Sequence, residues 1–395
     1  MSEPETILRV AAKGDGITAS GLHVAFTAPG DVIGANGAVE PGPHHASPPC
    51  RHFRTCGGCE LQHLDEESLA QFVFDRVANA ASGQGLVPEF TAPAYLSPPR
   101  TRRRATLHAE RGGLGFRARG SHQLVDLREC HVLDPALFAL LAPLRSLLKR
   151  WPGRRLAADV HLVLADQGVA VDLKGLPLEG LAQTESLLDF ARDHALARLA
   201  LDQGYGPEAM WEPEPVTVTL SGVPVGLPPG GFLQATADAE AALSGAVGEW
   251  LGESATVADL FAGLGTFAFA LAGRSKVLAV EAAQDAHFAC KAAAGRSGKP
   301  VHTLHRDLFR NPLRIEELDR FAAVVLDPPR AGARDQVEQL AGSKVPRVAY
   351  VSCNPSSWAK DAATLVAGGY RLAELRPVGQ FRWSTHVELA SLFVR

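Results

Sequence analysis

Short apolar runs alternate with helix-compatible stretches from about Thr236 to the end of the chain. Alternation of this kind predicts a parallel sheet that is covered by helices on both faces. In such sheets ligands bind beyond the carboxyl ends of the strands, so the residues that follow each strand are where chemistry is expected. The strand-like runs are residues 256–261, 276–281, 322–327 and 347–352.

The first two runs end in residues that suit a nucleotide-like ligand. The first leads through Phe261 into the turn 262–266, where Gly263 and Gly265 let a ligand approach the backbone. The second ends in Glu281, whose carboxylate would face the hydroxyl groups of a ribose. The third glycine of a dinucleotide fingerprint is missing, which disfavours NAD and favours an adenosyl ligand without phosphates.

The other two runs end in residues that suit a reacting heterocycle. Asp327 precedes two prolines and Arg330, which stiffen a loop at the sheet edge. Cys353 precedes Asn354-Pro355, and a helix start at this point would favour its thiolate. A lone cysteine is more often a small buried core residue, but these neighbours favour a nucleophile. Glu388, in a strand-like stretch near the C-terminus, is a candidate general base.

The 395 residues, 46% of them hydrophobic, predict a multidomain α/β protein. Residues 1–45 contain short alternating segments between glycine turns and are expected to form a short β module. Residues 46–235 are expected to form an α+β central domain, with a helix near 68–81 and strands near 159–164 and 216–220. Residues 236–395 form the predicted catalytic domain.

The formal charge of −4 excludes a uniformly basic surface, so contact with nucleic acid would need a local patch. Residues 100–119 provide one, with seven arginines against a single acid, Glu110. The same run would equally suit a solvated face. No long apolar segment and no signal-like N-terminus is present, so we expect a cytoplasmic protein with no membrane partner.

Cysteines are crowded near the start of the central region. In a reducing compartment such clustering is typical of metal or cluster ligation and not of disulfides. Cys290 lies apart from these and is expected to be a core residue on a helix face. The clustered residues are Cys50, Cys56 and Cys59, with Cys130 further along the chain.

Five motifs in order resemble those of the RNA uridine-5-methyltransferases, a family that acts on 23S ribosomal RNA and on the T-loop of transfer RNA. The resemblance covers the chain from about Cys50 to its end. The motifs are Phe232-Leu233-Gln234, Gly263-Leu264-Gly265 after Asp259-Leu260-Phe261, Asp327-Pro328-Pro329-Arg330, Ser352-Cys353-Asn354-Pro355 and His386-Val387-Glu388.

This resemblance implies a seven-stranded, Rossmann-like fold that binds S-adenosylmethionine, with Cys353 as the nucleophile and Glu388 as the base. A thiolate that adds to carbon 6 of uracil makes carbon 5 nucleophilic enough to take a methyl group. An unpaired or flipped uridine of 23S ribosomal RNA is the expected substrate, and the enzyme is expected to be a monomer. The implied cofactor-binding residues are Gln234, Phe261, Gly263, Thr266, Glu281 and Asp327.

The four clustered cysteines resemble the ligands of the [4Fe–4S] cluster in the ribosomal branch of the same family. Zinc is the competing ligand, because four cysteines can also hold it tetrahedrally. Methyl transfer needs no redox step, so the expected role is structural or in positioning RNA.

Several residues depart from the pattern of the family: Thr236, Thr266 and the pair Arg382-Trp383. The alternatives are a transfer RNA T-loop methyltransferase, a non-catalytic iron–sulfur protein that binds RNA, and a methyltransferase for small molecules or proteins. Cys353 together with Glu388 argues against the second, and Arg330, where the third usually has tyrosine, argues against the last.

Overall fold

A computed structural model describes residues 3–151 and 157–395, and within these ranges the chain forms four β-sheets with helices packed on them. The mixed α/β class expected from the sequence is therefore confirmed. No helix in the described ranges is long and apolar enough to cross a membrane.

The N-terminal segment forms a small antiparallel sheet with the strand order β3-β2-β1-β4-β5. Its tight packing requires glycine at position 16, where a Cβ atom would lie 2.2 Å from the Thr27 hydroxyl and 2.7 Å from Ile7. The strands are β1 (Glu5–Val10), β2 (Gly16–Thr18), β3 (His23–Val24), β4 (Val32–Ile33) and β5 (Val39–Glu40).

Helix α1 (Glu66–Ser82) follows the first three cysteines and covers the helix predicted over 68–81. The Asp65 side chain caps it by accepting a hydrogen bond from the Ser68 backbone N–H at 2.8 Å. Two short strands come next, β6 (Phe90–Thr91) and β7 (Tyr95–Leu96), and both pair with a strand near the C-terminus.

The central segment builds a seven-stranded sheet with the order β10-β9-β8-β11-β12-β13-β14. Helices on this sheet bury leucines such as Leu144 and Leu187 against Leu107 and Leu162 of its strands. The elements are β8 (Arg104–Glu110), β9 (Gly113–Arg117), β10 (Leu124–Asp126), α2 (Pro135–Ala139), α3 (Leu141–Arg150), β11 (Ala157–Ala165), β12 (Gly168–Lys174), α4 (Leu181–Asp193), β13 (Arg198–Asp202) and β14 (Pro207–Trp211).

The C-terminal segment follows the hairpin β15 (Thr217–Leu220) and β16 (Val223–Gly226). Thr236 caps its first helix, because its hydroxyl accepts a hydrogen bond from the Ala239 N–H at 3.2 Å. The elements are α5 (Ala237–Leu251), β17 (Thr256–Leu260), α6 (Thr266–Leu271), β18 (Lys276–Glu281), α7 (Gln284–Ser297), β19 (Val301–His305), α8 (Ile315–Leu318), β20 (Ala323–Leu326), α9 (Arg334–Gly342), β21 (Arg347–Ser352), α10 (Pro355–Ala367), β22 (Arg371–Gly379) and β23 (Glu388–Val394).

These seven strands lie in one sheet with the order β19-β18-β17-β20-β21-β23-β22, and β6 extends its edge. The first five are parallel, whereas β23 runs antiparallel to both of its neighbours. Strand order reverses beside β17, which has β18 on one side and β20 on the other. A crevice for ligands is expected at this reversal. Two of the edge strands, β6 and β7, come from the segment assigned to the central domain, so the sheet crosses the predicted boundary at 235.

Candidate active site

The first cavity has a volume of about 700 Å³ and opens at the carboxyl ends of β17, β18 and β20. Its position matches the crevice expected beside the reversal in strand order. All six residues predicted to bind a cofactor line it: Gln234, Phe261, Gly263, Thr266, Glu281 and Asp327.

The turn after β17 shapes one wall of this cavity. Phe261, Gly263 and Gly265 have φ angles of +63°, +55° and +95°, in the left-handed region that favours glycine. At Gly265 a Cβ atom would also lie 2.8 Å from the Cys290 sulfur. The Gly263 N–H donates to the Glu281 carboxylate at 2.8 Å, so the turn and the end of β18 hold each other in place.

Two further residues in this wall were missed in the sequence. Asp307 and Phe309 follow β19 and line the first cavity, and the ring of Phe309 lies 5.3 Å from that of Phe261. Strand β19 carries two histidines in five residues, so its apolar signal is weak. The position of Asp307, two residues after the end of β19, was the sequence feature that could have identified these residues.

A second cavity of about 660 Å³ adjoins the first and is bordered by β8, β9, β11 and the loop before β23. Four of the seven arginines of the basic run line it: Arg102, Arg104, Arg117 and Arg119. The two cavities share six wall residues, which are Gly230, Gly231, Phe232, Arg330, Cys353 and Glu388.

The arginines of the run have different roles. Arg103 forms a partly buried ion pair with Glu240 at 2.6 Å, and Arg117 pairs with Glu110 at 2.9 Å. Within the described part of the chain, Arg102 and Arg104 form no ion pair. The guanidinium of Arg104 lies 4.4 Å from the ring centroid of Phe232, which is 61% exposed. The wall of the second cavity therefore offers unneutralised cations beside an open aromatic face.

Cys353 lies at the start of α10, as predicted. Asn354 caps this helix and also donates to the Arg330 carbonyl at 2.9 Å, which ties the cysteine to the loop after β20. Burial raises the pKa of the Cys353 thiol, the charges of Glu388 and Asp327 raise it further, and Arg330 opposes them. The helix start by itself favours the thiolate, but burial and the two nearby carboxyl groups outweigh it, so the pKa of the thiol is raised.

Two buried carboxyl groups, Glu388 and Asp327, lie close to this thiol, and a third, Asp259, lies further away. Burial raises the pKa of Glu388 to about 7, although Gln380 and Arg104 favour its charged form. Burial, together with Glu388, raises the pKa of Asp327 well above its ordinary value. Asp259, behind them in β17, also has its pKa raised to about 7 by burial. Groups with such shifts can hold or accept a proton near neutral pH.

The Arg382-Trp383 pair, which departs from the family pattern, holds the loop before Glu388 in place. The Trp383 carbonyl accepts backbone N–H groups from Glu60 at 2.8 Å and Leu61 at 2.9 Å. The Arg382 guanidinium pairs with Glu66 in α1 and donates to the Ser97 carbonyl at 3.0 Å. Both contacts anchor the loop that carries Glu388 to the segment after Cys59.

The four clustered cysteines meet at one small cavity, although Cys130 is distant in sequence. Backbone N–H groups approach their sulfurs, as at Gly58, which donates to Cys56 at 3.4 Å. Burial raises the pKa of Cys56 to about 11 and raises that of each of the other three thiols. In the described ranges no group of three or more His, Cys, Asp or Glu side chains is arranged to hold a metal ion.

Comparison with solved structures supports the fold. The tRNA (uracil-54, C5)-methyltransferase of Pyrococcus abyssi, solved with S-adenosyl-L-homocysteine, matches 99% of this chain and all of that chain with a TM-score of 0.76. Sequence identity between the two is only 22%, so the match speaks for the architecture.

Sequence comparison identifies the family. An RNA methyltransferase of Zymomonas mobilis is 48% identical over 98% of this chain and 99% of its own length. The 23S rRNA (uracil(1939)-C(5))-methyltransferase of Chromohalobacter salexigens is 34% identical over 89% of this chain and 77% of its own length. The family model described as tRNA (Uracil-5-)-methyltransferase matches residues 303–395, which include Cys353 and Glu388. The chain is a member of the RNA (uracil-5-)-methyltransferase family.

Proposed function

We propose that this enzyme methylates carbon 5 of a uridine in 23S ribosomal RNA, with Cys353 as a covalent nucleophile and Glu388 as the base. One observation carries the proposal: both side chains lie in the wall shared by the two cavities. A pyrimidine that enters from the second cavity would then meet a methyl donor held in the first.

Cys353 activates the pyrimidine. Its thiolate adds to carbon 6 of uracil, and the electron pair of the 5,6 double bond moves onto the carbonyl oxygen at position 4. Bound S-adenosylmethionine supplies the methyl group that carbon 5 of this enolate takes up. Burial raises the pKa of the Asp327 carboxyl group, and in its protonated form this group can donate a hydrogen bond to the carbonyl oxygen as negative charge develops there.

Glu388 completes the reaction. It accepts the proton from carbon 5, and the electron pair of that C–H bond restores the double bond and expels the Cys353 thiolate. A pKa near 7 suits this role, since the group must take up a proton and release it in each cycle.

S-Adenosylmethionine fits the first cavity. The Glu281 carboxylate stands at the end of β18, where it can accept hydrogen bonds from ribose hydroxyl groups. The paired rings of Phe261 and Phe309 offer apolar faces to the adenine. We assign Gln234, Gly263, Thr266 and Asp327 to the same ligand or to the uracil beside it.

RNA fits the second cavity. Arg102 and Arg104 provide cations for phosphates, while Phe232 provides a surface on which a flipped base can stack. The Gly57-Gly58 segment between the clustered cysteines forms part of the same wall. A structural group at the cysteines would therefore shape the RNA surface as well.

For that group we propose a [4Fe–4S] cluster held by Cys50, Cys56, Cys59 and Cys130. Four thiols around one cavity, with backbone N–H groups near their sulfurs, are the donor set that such a cluster requires. The cluster would supply a rigid crosslink, not a redox step. Zinc remains the alternative that metal analysis must separate from it.

The ribosomal relative favours 23S ribosomal RNA, whereas the matched family model and the solved structure carry names of transfer RNA enzymes. Purified enzyme incubated with labelled S-adenosylmethionine and either a 23S or a transfer RNA transcript, followed by nucleoside analysis, tests both substrates. We expect 5-methyluridine in the 23S transcript. Label only in transfer RNA would overturn the ribosomal assignment, and no 5-methyluridine in either would overturn the function.

A further inference from the structure

Gln380 is a buried side chain to which the reaction described above assigns no role. It is 2% exposed and lies in the turn between β22 and β23, between the Phe232-Leu233-Gln234 segment and Glu388. Its Oε1 accepts the backbone N–H of Ala235 at 2.9 Å. Its Nε2 donates to Gln234 Oε1, also at 2.9 Å.

These contacts determine which way two amides point. A backbone N–H can only donate, so the atom of Gln380 that faces Ala235 must be the oxygen. The other end of the Gln380 amide is then a donor, and the atom of Gln234 that meets it must be an oxygen. Gln234 therefore turns its own NH₂ group away from Gln380. Gln234 lines the first cavity, and within the described residues its Nε2 makes no hydrogen bond to the protein.

An NH₂ group presented to the cavity can only donate. Uracil carries a carbonyl oxygen at position 4 and accepts such a bond, whereas cytosine carries an amino group there and cannot accept it. We infer that Gln380 is a specificity-determining residue, which holds the Gln234 amide in the orientation that selects uracil over cytosine. This inference rests on the proposed function, because it requires the pyrimidine to reach Gln234.

The Gln380 amide also lies close to Glu388, the proposed general base. Gln380 lies near enough to the Glu388 carboxylate to favour its charged form, and so does Arg104. One uncharged side chain thus connects the residue that reads the pyrimidine with the residue that takes its proton. Replacing it should disturb recognition of the pyrimidine, because the Gln234 amide then loses the contact that orients it.

The test uses two short RNAs that differ only at the uridine methylated by the wild-type enzyme, with uridine or cytidine at that position. The ratio of their dissociation constants measures discrimination. Gln380→Met leaves Gln234 free to rotate, and we expect the ratio to fall about tenfold, as for the loss of one oriented hydrogen bond at a buried site.

Gln380→Glu supplies a sharper test. A carboxylate still accepts the Ala235 N–H, but its second oxygen repels Gln234 Oε1, so Gln234 must turn its NH₂ group inward and its oxygen to the cavity. We expect this variant to lose the preference for uridine and to bind the cytidine RNA at least as well.

Gln336→Met is the matched control. Gln336 is also buried, and its amide bonds both the N–H and the carbonyl of Leu313, but it lines neither cavity. It should lose stability without any change in the uridine-to-cytidine ratio. Wild-type discrimination in both Gln380 variants, or an equal loss in Gln336→Met, would overturn the inference. A wild-type enzyme that forms no 5-methyluridine would instead overturn the proposed function.

Discussion

Two regions of this enzyme bury cysteines, and their surroundings differ in kind. Burial raises the thiol pKa in both, at Cys353 and at the four clustered cysteines. Around the cluster the thiols share one small cavity and are approached by backbone N–H groups. Around Cys353, two large cavities meet and carboxyl groups stand close by.

Burial alone therefore does not make a cysteine reactive. Four thiols around one small cavity supply the donor atoms that the proposed cluster would need. A single thiol with room for a ring and with proton acceptors nearby suits covalent catalysis.

Cys353→Ala should have the largest effect on methylation. Without the thiol, carbon 5 of uracil is not activated, and we expect turnover to fall by a factor on the order of 10⁴ to 10⁶, as for other lost nucleophiles. The measurement is the rate of 5-methyluridine formation. RNA with 5-fluorouridine should also trap the wild-type enzyme, because carbon 5 then has no proton for Glu388 to remove.

The trapped species should survive denaturing electrophoresis and should be missing in Cys353→Ala. Cys290→Ala is the control, since Cys290 is a buried thiol packed against the turn at Gly265. If Cys353→Ala still forms 5-methyluridine, the covalent mechanism is wrong.

Glu388→Gln should separate the two halves of the reaction. The nucleophile remains, so the methylated adduct should form, but its release should slow by roughly 10² to 10⁴-fold, the usual contribution of a general base. Quenched-flow samples on denaturing gels would display adduct that accumulates with ordinary uridine RNA. Normal turnover without accumulation would show that another group removes the proton.

In the wild-type enzyme, the steps that depend on Cys353 and on Glu388 should differ in their dependence on pH. Burial raises the pKa of Glu388 to about 7, so release of the adduct should fall tenfold per pH unit below 7 and level off above it. The pKa of Cys353 is raised above its ordinary value of 9.0, so adduct formation should keep rising with pH beyond neutrality. Single-turnover rates of both steps between pH 5.5 and about 9.5 test this. A common pH profile would contradict it.

Cys130→Ser should have the smallest effect on methylation and the largest on colour. We expect anaerobically purified wild-type protein to be brown, with about four irons per chain, and this variant to lose the colour. Methylation should fall by no more than about tenfold, equivalent to 1.4 kcal/mol, because no cluster electron enters the reaction. Colourless wild-type protein with stoichiometric zinc would contradict the cluster, and loss of colour in Cys290→Ala would contradict its ligand set.

Strand-end residues were predictable from sequence because parallel strands bring their carboxyl ends to one edge. Glu281 and Asp327 therefore line one cavity, as expected. Asp307 was missed because the strand before it, β19, is polar and has only a weak apolar signal. The second cavity could not be predicted, because its walls come from segments far apart in the chain and the local pattern of apolar residues does not show that they meet. Gln380 carries no charge and matches no motif, and only its three-dimensional contacts reveal its place.

The raised pKa of Cys353 could not be predicted from its position at a helix start. That position alone favours the thiolate, but the outcome depends on how deeply the fold buries the sulfur and on two carboxyl groups brought in by other strands. Similarly, the +6 charge of the arginine run predicted a basic surface patch, but Arg103 of this run is neutralised by an ion pair with Glu240, a residue distant in the sequence.

The two cavities share six wall residues and are otherwise lined by different residues. In the proposed arrangement RNA and the methyl donor occupy different cavities, so neither has to pass through the site of the other. The demethylated donor would then leave while the uridine is still attached to Cys353, and a fresh donor would enter before the RNA leaves. Isotope trapping with preloaded enzyme should therefore find either partner able to bind first, and an enzyme engaged on one long RNA can be recharged in place.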